Sequence, residues 1–186
     1  KSERRIRLEP QLDGGGHEQR LRSGTLPVPQ IVGFGAACEL IAAQFTDDLR
    51  HLQTLTERCR SQLSNKISGL RFNGPEVDRL PGNLNVSFEG IDGPALLTAL
   101  ERELAISSGA ACSAAQPEPS HVLRAIGLPE ALCRASLRFG FGRHNTLAEI
   151  ESATDLIART VSRLQEMMSA GYWTAGPDRA RAAILT

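Results

Sequence analysis

The chain predicts an α/β organisation in which helices alternate with short strands. Three observations predict it. Apolar residues recur at helical spacing within residues 29–67, from Leu49 through Leu52, Leu55, Cys59 and Leu63 to Ile67. Short runs at 83–88 and 135–140 alternate as half-buried strands do. A second amphipathic stretch follows Thr146 and keeps Leu147, Ile150, Ile157, Val161, Leu164 and Met168 on one helical face. With 186 residues and 41% hydrophobic content, the chain can bury one sizeable core and a small satellite to it.

The elements follow in order. Residues 1–12 read as an edge or connecting strand followed by a loop, with Arg4, Arg5 and Arg7 as a solvated basic cluster. Next come Gly14-Gly-Gly-His-Glu18 and Arg22-Ser-Gly-Thr-Leu-Pro27. Such glycine density lets backbone approach backbone or ligand, so two readings stand: an ordinary structured loop, or a phosphate cradle built from Ser23, Thr25 and nearby N–H groups. It is not a Walker sequence, which requires a lysine before Ser or Thr.

The helix over 29–67 is long for a globular protein, and Phe45-Thr-Asp-Asp48 marks an expected joint in a helix that links two domains. Gly69, Gly74, Pro75 and Pro81 then interrupt regularity around short strands at 70–73 and 83–88. Asp92-Gly-Pro94 opens a helix through Leu104, because proline in a first turn lacks only an N–H that has no helical partner. Residues 105–107 return briefly to the sheet. The run Ser107-Ser-Gly-Ala-Ala-Cys-Ser113, followed by Pro117 and Pro119, places Cys112 on a turn-forming segment of small residues, where a thiol is reachable.

A helix at 120–126 ends at Gly127, residues 129–134 are ambiguous, and 135–140 form a strand. Thr146 and Glu149 match a capping box at the start of the last helix. Beyond Met168, Gly171, Gly176 and Pro177 end the periodicity, and Tyr172 and Trp173 are suited to anchoring the tail on another surface.

Twenty-one basic residues balance twenty-one acidic ones, so bulk electrostatics give no reason to expect a nucleic-acid partner. No secretory leader or long apolar span is read, which makes a cytoplasmic protein without a membrane partner the expectation. The four cysteines are widely separated and lack the local spacing of a zinc site, so no metal centre is expected. Cys38, Cys59 and Cys133 read as small buried hydrophobes.

Taken in order, the glycine blocks, Leu84-Asn-Val-Ser-Phe88, Ser107-Ser-Gly-Ala-Ala-Cys112, Glu118-Pro-Ser-His-Val-Leu-Arg124 and Leu137-Arg-Phe-Gly-Phe-Gly-Arg143 resemble the later half of the cysteine desulfurases of the iron-sulfur assembly type, within aminotransferase class V. The likeness runs from about Pro10 to Met168. It implies the C-terminal part of an aspartate-aminotransferase-like fold of type I: the end of the large cofactor-binding domain and the start of the linking helix in 1–45, a small α+β domain in 46–168, and a tail in 169–186. The implied activity is removal of sulfur from L-cysteine to leave L-alanine, with pyridoxal 5'-phosphate as cofactor.

By the same resemblance, Cys112 is the cysteine that attacks the substrate sulfur and carries the persulfide, and Arg138 pairs with the substrate carboxylate. Thr25 reaches the cofactor phosphate of the neighbouring subunit across a homodimer. His17, Ser23, Gly24 and Asn85 are supporting candidates, with His17 favoured as the cap of a glycine turn. The sulfur acceptor is an iron-sulfur scaffold or a sulfur-carrier protein.

The chain departs from the family pattern in its lysines, which are Lys1 and Lys66 only. Neither stands in the family's cofactor-lysine context, so the cofactor is expected to be bound mainly by residues outside this chain. The chain alone is expected to be inactive, and an N-terminal portion of the same enzyme is the expected partner. The tail Ser169-Ala-Gly-Tyr-Trp-Thr-Ala175 also differs from the family extension associated with scaffold recognition. Two further readings stay open: a non-catalytic interaction or regulatory protein derived from a desulfurase, and a selenocysteine lyase.

Overall fold

The computed structural model describes residues 7–107 and 119–170. The chain divides into two units, Lys1–Phe45 and Thr46–Thr186, and helix α1 (Val28–Lys66) runs through the boundary.

In the first unit the expected strand does not form over residues 7–12. Pro10 removes a ladder donor there, and a strand needs a neighbour to satisfy its remaining polar groups. A 3-10 turn, Glu18–Arg20, is the other regular element among the described residues of this unit. Its three residues hold φ of 50°, 56° and 67°, a left-handed run that side chains with a Cβ rarely adopt.

Helix α1 is unbroken over 39 residues, passing through 45–48 where the sequence predicts a joint. The aspartates of that joint are spent on ion pairs: Asp47 with Arg50 at 2.9 Å and Asp48 with Arg143 at 2.8 Å. Neither carboxylate is left to cap a new helix start. Within the first unit, Ile31, Phe34, Cys38, Ile41 and Phe45 repeat at steps of three and four and are all exposed, Phe34 to 74%. Glu39 is the one charged residue from Val28 to Phe45. This corrects two sequence expectations: α1 contains a stretch long and apolar enough, by composition, to cross a membrane, and Cys38 is not buried.

The second unit is built on an antiparallel sheet of order β1-β2-β3, with β1 Leu70–Asn73, β2 Asn83–Phe88 and β3 Ser136–Gly140. Side chains alternate across a strand, so the register separates two faces. Leu70, Phe72, Leu84, Val86, Phe88, Leu137 and Phe139 occupy one. The opposite face carries Arg71, Asn73, Asn85, Ser87, Ser136 and Arg138. The apolar face belongs to a core that also takes Leu55, Cys59 and Leu63 from α1, Ala95, Leu96 and Leu100 from α2 (Gly93–Leu100), and Ile150, Ile157, Val161 and Leu164 from α5 (Leu147–Ser169).

Helix α2 starts on Asp92, whose Oδ1 accepts from Ala95 N–H at 2.9 Å, with Pro94 in the first turn. It stops at Leu100, and residues 101–103 continue as turn. Gly93 is obligatory for packing: a Cβ there would lie 1.9 Å from Arg134 O. The ambiguous segment resolves as helix α4 (Glu130–Arg134), which with α3 (His121–Ala125) encloses a small cluster of Leu123, Leu128 and Cys133. At the start of α5 both halves of the capping box are made, Glu149 N–H to Thr146 Oγ1 at 3.2 Å and Thr146 N–H to Glu149 Oε2 at 2.8 Å. The ends of the predicted apolar stripe are wrong, since Leu147 and Met168 are exposed; a helix outruns the core it packs on at both ends.

Candidate functional site

Arg138 is set by β3. The side chains before and after it, Leu137 and Phe139, enter the core, so the alternation turns Arg138 to the polar face, where it is exposed. Its Cα partner on β2 is Asn85, and on its other side it forms a β-bridge with Ser107, Arg138 N–H donating to Ser107 O at 2.7 Å. Asn85 in turn pairs with Asn73 of β1. Asn73, Asn85, Arg138 and Ser107 therefore form one cross-strand row. The guanidinium of Arg138 has no ion pair or hydrogen bond among the described residues, whereas Arg143, at the end of the same sequence block, is bound to Asp48. A free planar fork on a strand fits bidentate capture of a carboxylate.

Ser107 is also the last described residue before the segment that contains Cys112, which itself lies outside the described residues. The row thus ties the backbone of Arg138 to the root of the cysteine segment. The remaining thiols have other surroundings. Burial pushes Cys59 up to about 12 and raises Cys133 as well, so both stay protonated and unreactive near neutrality. Cys38 is exposed on α1.

The other candidates belong to the first unit. Ser23 is buried and donates from Oγ to Gly15 O at 2.6 Å, while its N–H donates to Leu12 O at 3.2 Å. Its hydroxyl proton is therefore committed to fastening the glycine block. Gly24 holds φ of +93°, a conformation natural to glycine, and Arg22 donates to the carbonyls of Gly24 and Thr25 at 2.9 and 3.1 Å. Thr25 is exposed, and its hydroxyl makes no bond among the described residues. His17 precedes the Glu18–Arg20 turn but its side chain makes no cap; the bond there is from Arg20 N–H to His17 O at 2.9 Å. The side chain of His17 thus makes no helix-type cap at this turn. Its ring lies over Gly15, where a Cβ would come within 3.2 Å of Cδ2.

Lys66 is engaged at the end of α1. Its ammonium pairs with Asp155 at 2.8 Å and donates to Thr154 Oγ1 at 3.1 Å and to Gln62 Oε1. The charge and hydrogen bond of Lys66 hold the Asp155 carboxyl below its ordinary range. A lysine so bound has no free amine for a carbonyl cofactor.

Sequence reading missed Asn73, Ser87 and Ser136, which line the same polar face. The signal was the alternation in Leu-Arg-Phe-Asn, Asn-Leu-Asn-Val-Ser-Phe and Ser-Leu-Arg-Phe-Gly, legible as one surface only once the register is fixed.

Comparison with known proteins decides the family. The family model for aminotransferase class V matches residues 8–152. The chain belongs to the aminotransferase class-V family. Among curated class-V relatives, the mitochondrial cysteine desulfurase of Arabidopsis thaliana is 47% identical over 163 residues, 88% of this chain and 36% of that protein. The cysteine desulfurase IscS of Rickettsia felis is 42% identical over 163 residues, 88% of this chain and 40% of that protein. Among solved structures, a NifS-like protein from Rickettsia africae superposes with a TM-score of 0.71 at 25% identity, covering 84% of this chain and 41% of that one. The chain spans about two fifths of the length of the curated relatives it matches. The resemblance to cysteine desulfurases read from the sequence is borne out.

Membership of class V brings pyridoxal phosphate as the class of cofactor. The residues present fit part of it. Thr25, whose hydroxyl makes no bond among the described residues and lies beside the glycine turn at Gly24, suits a phosphate oxygen, while Lys66 does not suit the carbonyl end.

Proposed function

We propose that this chain is the sulfur-carrying part of a cysteine desulfurase that converts L-cysteine to L-alanine and holds the extracted sulfur as a persulfide on Cys112. The observation that carries this reading is the guanidinium of Arg138, without an ion pair or hydrogen bond among the described residues, in one row with Ser107, the residue that leads into the Cys112 segment. Arg138 binds and orients the substrate carboxylate through two parallel N–H donors. The Cys112 thiolate attacks the substrate sulfur; an S–S bond forms, the C–S bond breaks, and the electron pair of that bond remains on the carbon side, where a proton completes alanine. Pyridoxal phosphate, when bound, supplies the electron sink for cleavage at the substrate carbon.

On this reading residues 1–45 are the end of the large domain, 46–168 the small domain and 169–186 the tail of a type I fold. Thr25 serves the phosphate of a homodimer partner, and Ser23 with Gly24 shapes the loop that presents it. The rest of the cofactor site, including its lysine, lies in an N-terminal companion portion that covers the apolar stripe on α1. The location is cytoplasmic, and the sulfur passes to an iron-sulfur scaffold or a carrier protein.

The test supplies L-cysteine and cofactor to the chain alone and to the chain with the companion portion, and measures alanine together with the gain of one sulfur atom on Cys112. Both signals are expected only for the complete assembly, and Cys112→Ser removes the persulfide while cofactor binding persists. Cofactor absorbance without alanine from the assembly would instead support a regulatory relative, and a strong preference for selenocysteine would support the lyase.

A further inference from the structure

Asn73 is an anomaly on the polar face. It ends the edge strand β1, a place where a polar side chain ordinarily reaches water, yet it is only 4% exposed. Its Nδ2 donates to Asn85 Oδ1 at 2.6 Å and to Ser87 Oγ at 2.8 Å, and its own Oδ1 is buried with no partner among the described residues. Burying an acceptor without a bond opposes folding, so a plain packing role would be served better by an apolar residue of similar size. Reversing both amides does not remove the defect. It would leave the two N–H groups of Asn73 unpartnered, and buried orphaned donors are rarer than under-used carbonyl oxygens.

The consequence falls on Asn85. With its oxygen drawn towards β1, its Nδ2 faces away from β1, and no bond from that nitrogen is present among the described residues. The next residue across the sheet is Arg138, and opposed side chains in such a pair stand within reach of one ligand.

We propose that Asn73 is a positioning residue for the carboxylate site: it fixes the Asn85 carboxamide so that Asn85 Nδ2 and the Arg138 guanidinium meet the same amino-acid carboxylate. This rests on the carboxylate-binding role of Arg138 proposed above. Asn85 supplies a directional donor beside the charged fork, and Asn73 keeps the acceptor end of that amide turned away from the anion.

The experiment uses the complete enzyme with Asn73→Ala, Asn85→Ala and the double variant. It measures kcat and KM for L-cysteine, calorimetric Kd for the product L-alanine, and Tm. Loss of one hydrogen bond to a charged group is expected to raise KM and the alanine Kd about tenfold in either single variant, with kcat within about twofold of the parent. The double variant is expected to match Asn85→Ala, and Asn73→Ser, which keeps one donor, to recover most of the loss. L-cysteine methyl ester, which lacks the carboxylate, is expected to show no such change in KM.

A lowered Tm with KM and Kd unchanged in Asn73→Ala overturns the proposal, as do effects that multiply in the double variant. Should Asn73→Ala not fold, Asn85→Ala alone decides, because an unaltered KM there also overturns it. Arg138→Ala keeps the two readings apart. If it raises KM while Asn85→Ala does not, the carboxylate site stands and the role of Asn73 falls; if it leaves KM unchanged, the carboxylate reading itself falls.

Discussion

Arg138 and Arg143 lie five residues apart in the same β3-to-α5 region, and their surroundings divide their roles. Arg143 neutralises Asp48, whereas the fork of Arg138, on the sheet's polar face, has no partner among the described residues. The planar geometry matters because lysine offers a point charge on a flexible stem and cannot make two parallel bonds. In the complete enzyme, Arg138→Lys is expected to raise KM for L-cysteine by roughly tenfold or more while leaving Tm close to the parent. Steady-state kinetics beside thermal melting would check it, and an unchanged KM would exclude a carboxylate contact. The strand that carries this arginine was legible from the alternation of residues 135–140. The neighbours that qualify it were not, because pairing with Asn85 and Ser107 is non-local and register does not show in a single strand.

At the level of elements, the strongest local signals held. Thr146 and Glu149 announce the start of α5, and both capping bonds are made. Thr146→Ala is expected to cost about 1 kcal/mol, read as a lower denaturation midpoint without a change in m-value. The weak signals failed for a common reason. Asp47 and Asp48 look like a helix start, but tertiary and helical ion pairs absorb them, and residues 7–12 look extended but find no strand to join. Gly93 shows a requirement that the sequence does not reveal, since its need for no side chain arises from Arg134, forty-one residues later. Gly93→Ala places a Cβ into backbone atoms that cannot move aside independently, and a loss on the order of 3 kcal/mol is expected in chemical denaturation.

The contact between the end of α1 and α5 responds to acid. Lys66 holds the Asp155 carboxyl below its ordinary value, so the pair contributes its full share of stability above the unfolded carboxyl pKa of about 3.9 and loses it as pH falls through the lowered folded value. Asp155→Asn is therefore expected to reduce the difference in Tm between neutral and strongly acidic solution. An identical acid response in both proteins would contradict this. Both side chains are partly exposed, so added salt should shrink the effect.

For the whole molecule, the apolar stripe Ile31, Phe34, Cys38, Ile41 and Phe45 is the feature that a chain of this composition hides poorly. If the companion portion covers it, the thiol of Cys38 becomes a reporter. Alkylation at neutral pH is expected to reach Cys38 quickly in the chain alone, to be slowed strongly once the companion binds, and to spare Cys59 and Cys133 in both states. Equal rates with and without the companion would show that the stripe serves something else. Family membership was legible because its blocks lie in order along the chain; the exposed stripe was not, because a periodic apolar face reads the same whether its partner is in the chain or beyond it.

The bridge between Ser107 and Arg138 sets a limit on the reach of Cys112. Cys112 is five residues along the chain from an anchored carbonyl, so while the hydrogen bond from Arg138 N–H to Ser107 O holds Ser107 to the sheet, the covalent chain alone limits the Cys112 Cα to within about 17 Å of Ser107. On the proposed function, a sulfur acceptor would have to meet Cys112 inside that sphere. If Cys112 carries the sulfur as proposed, the range of transfer is a property of the sheet's edge, and lengthening the segment by a few small residues is expected to widen the set of acceptors before it alters the chemistry.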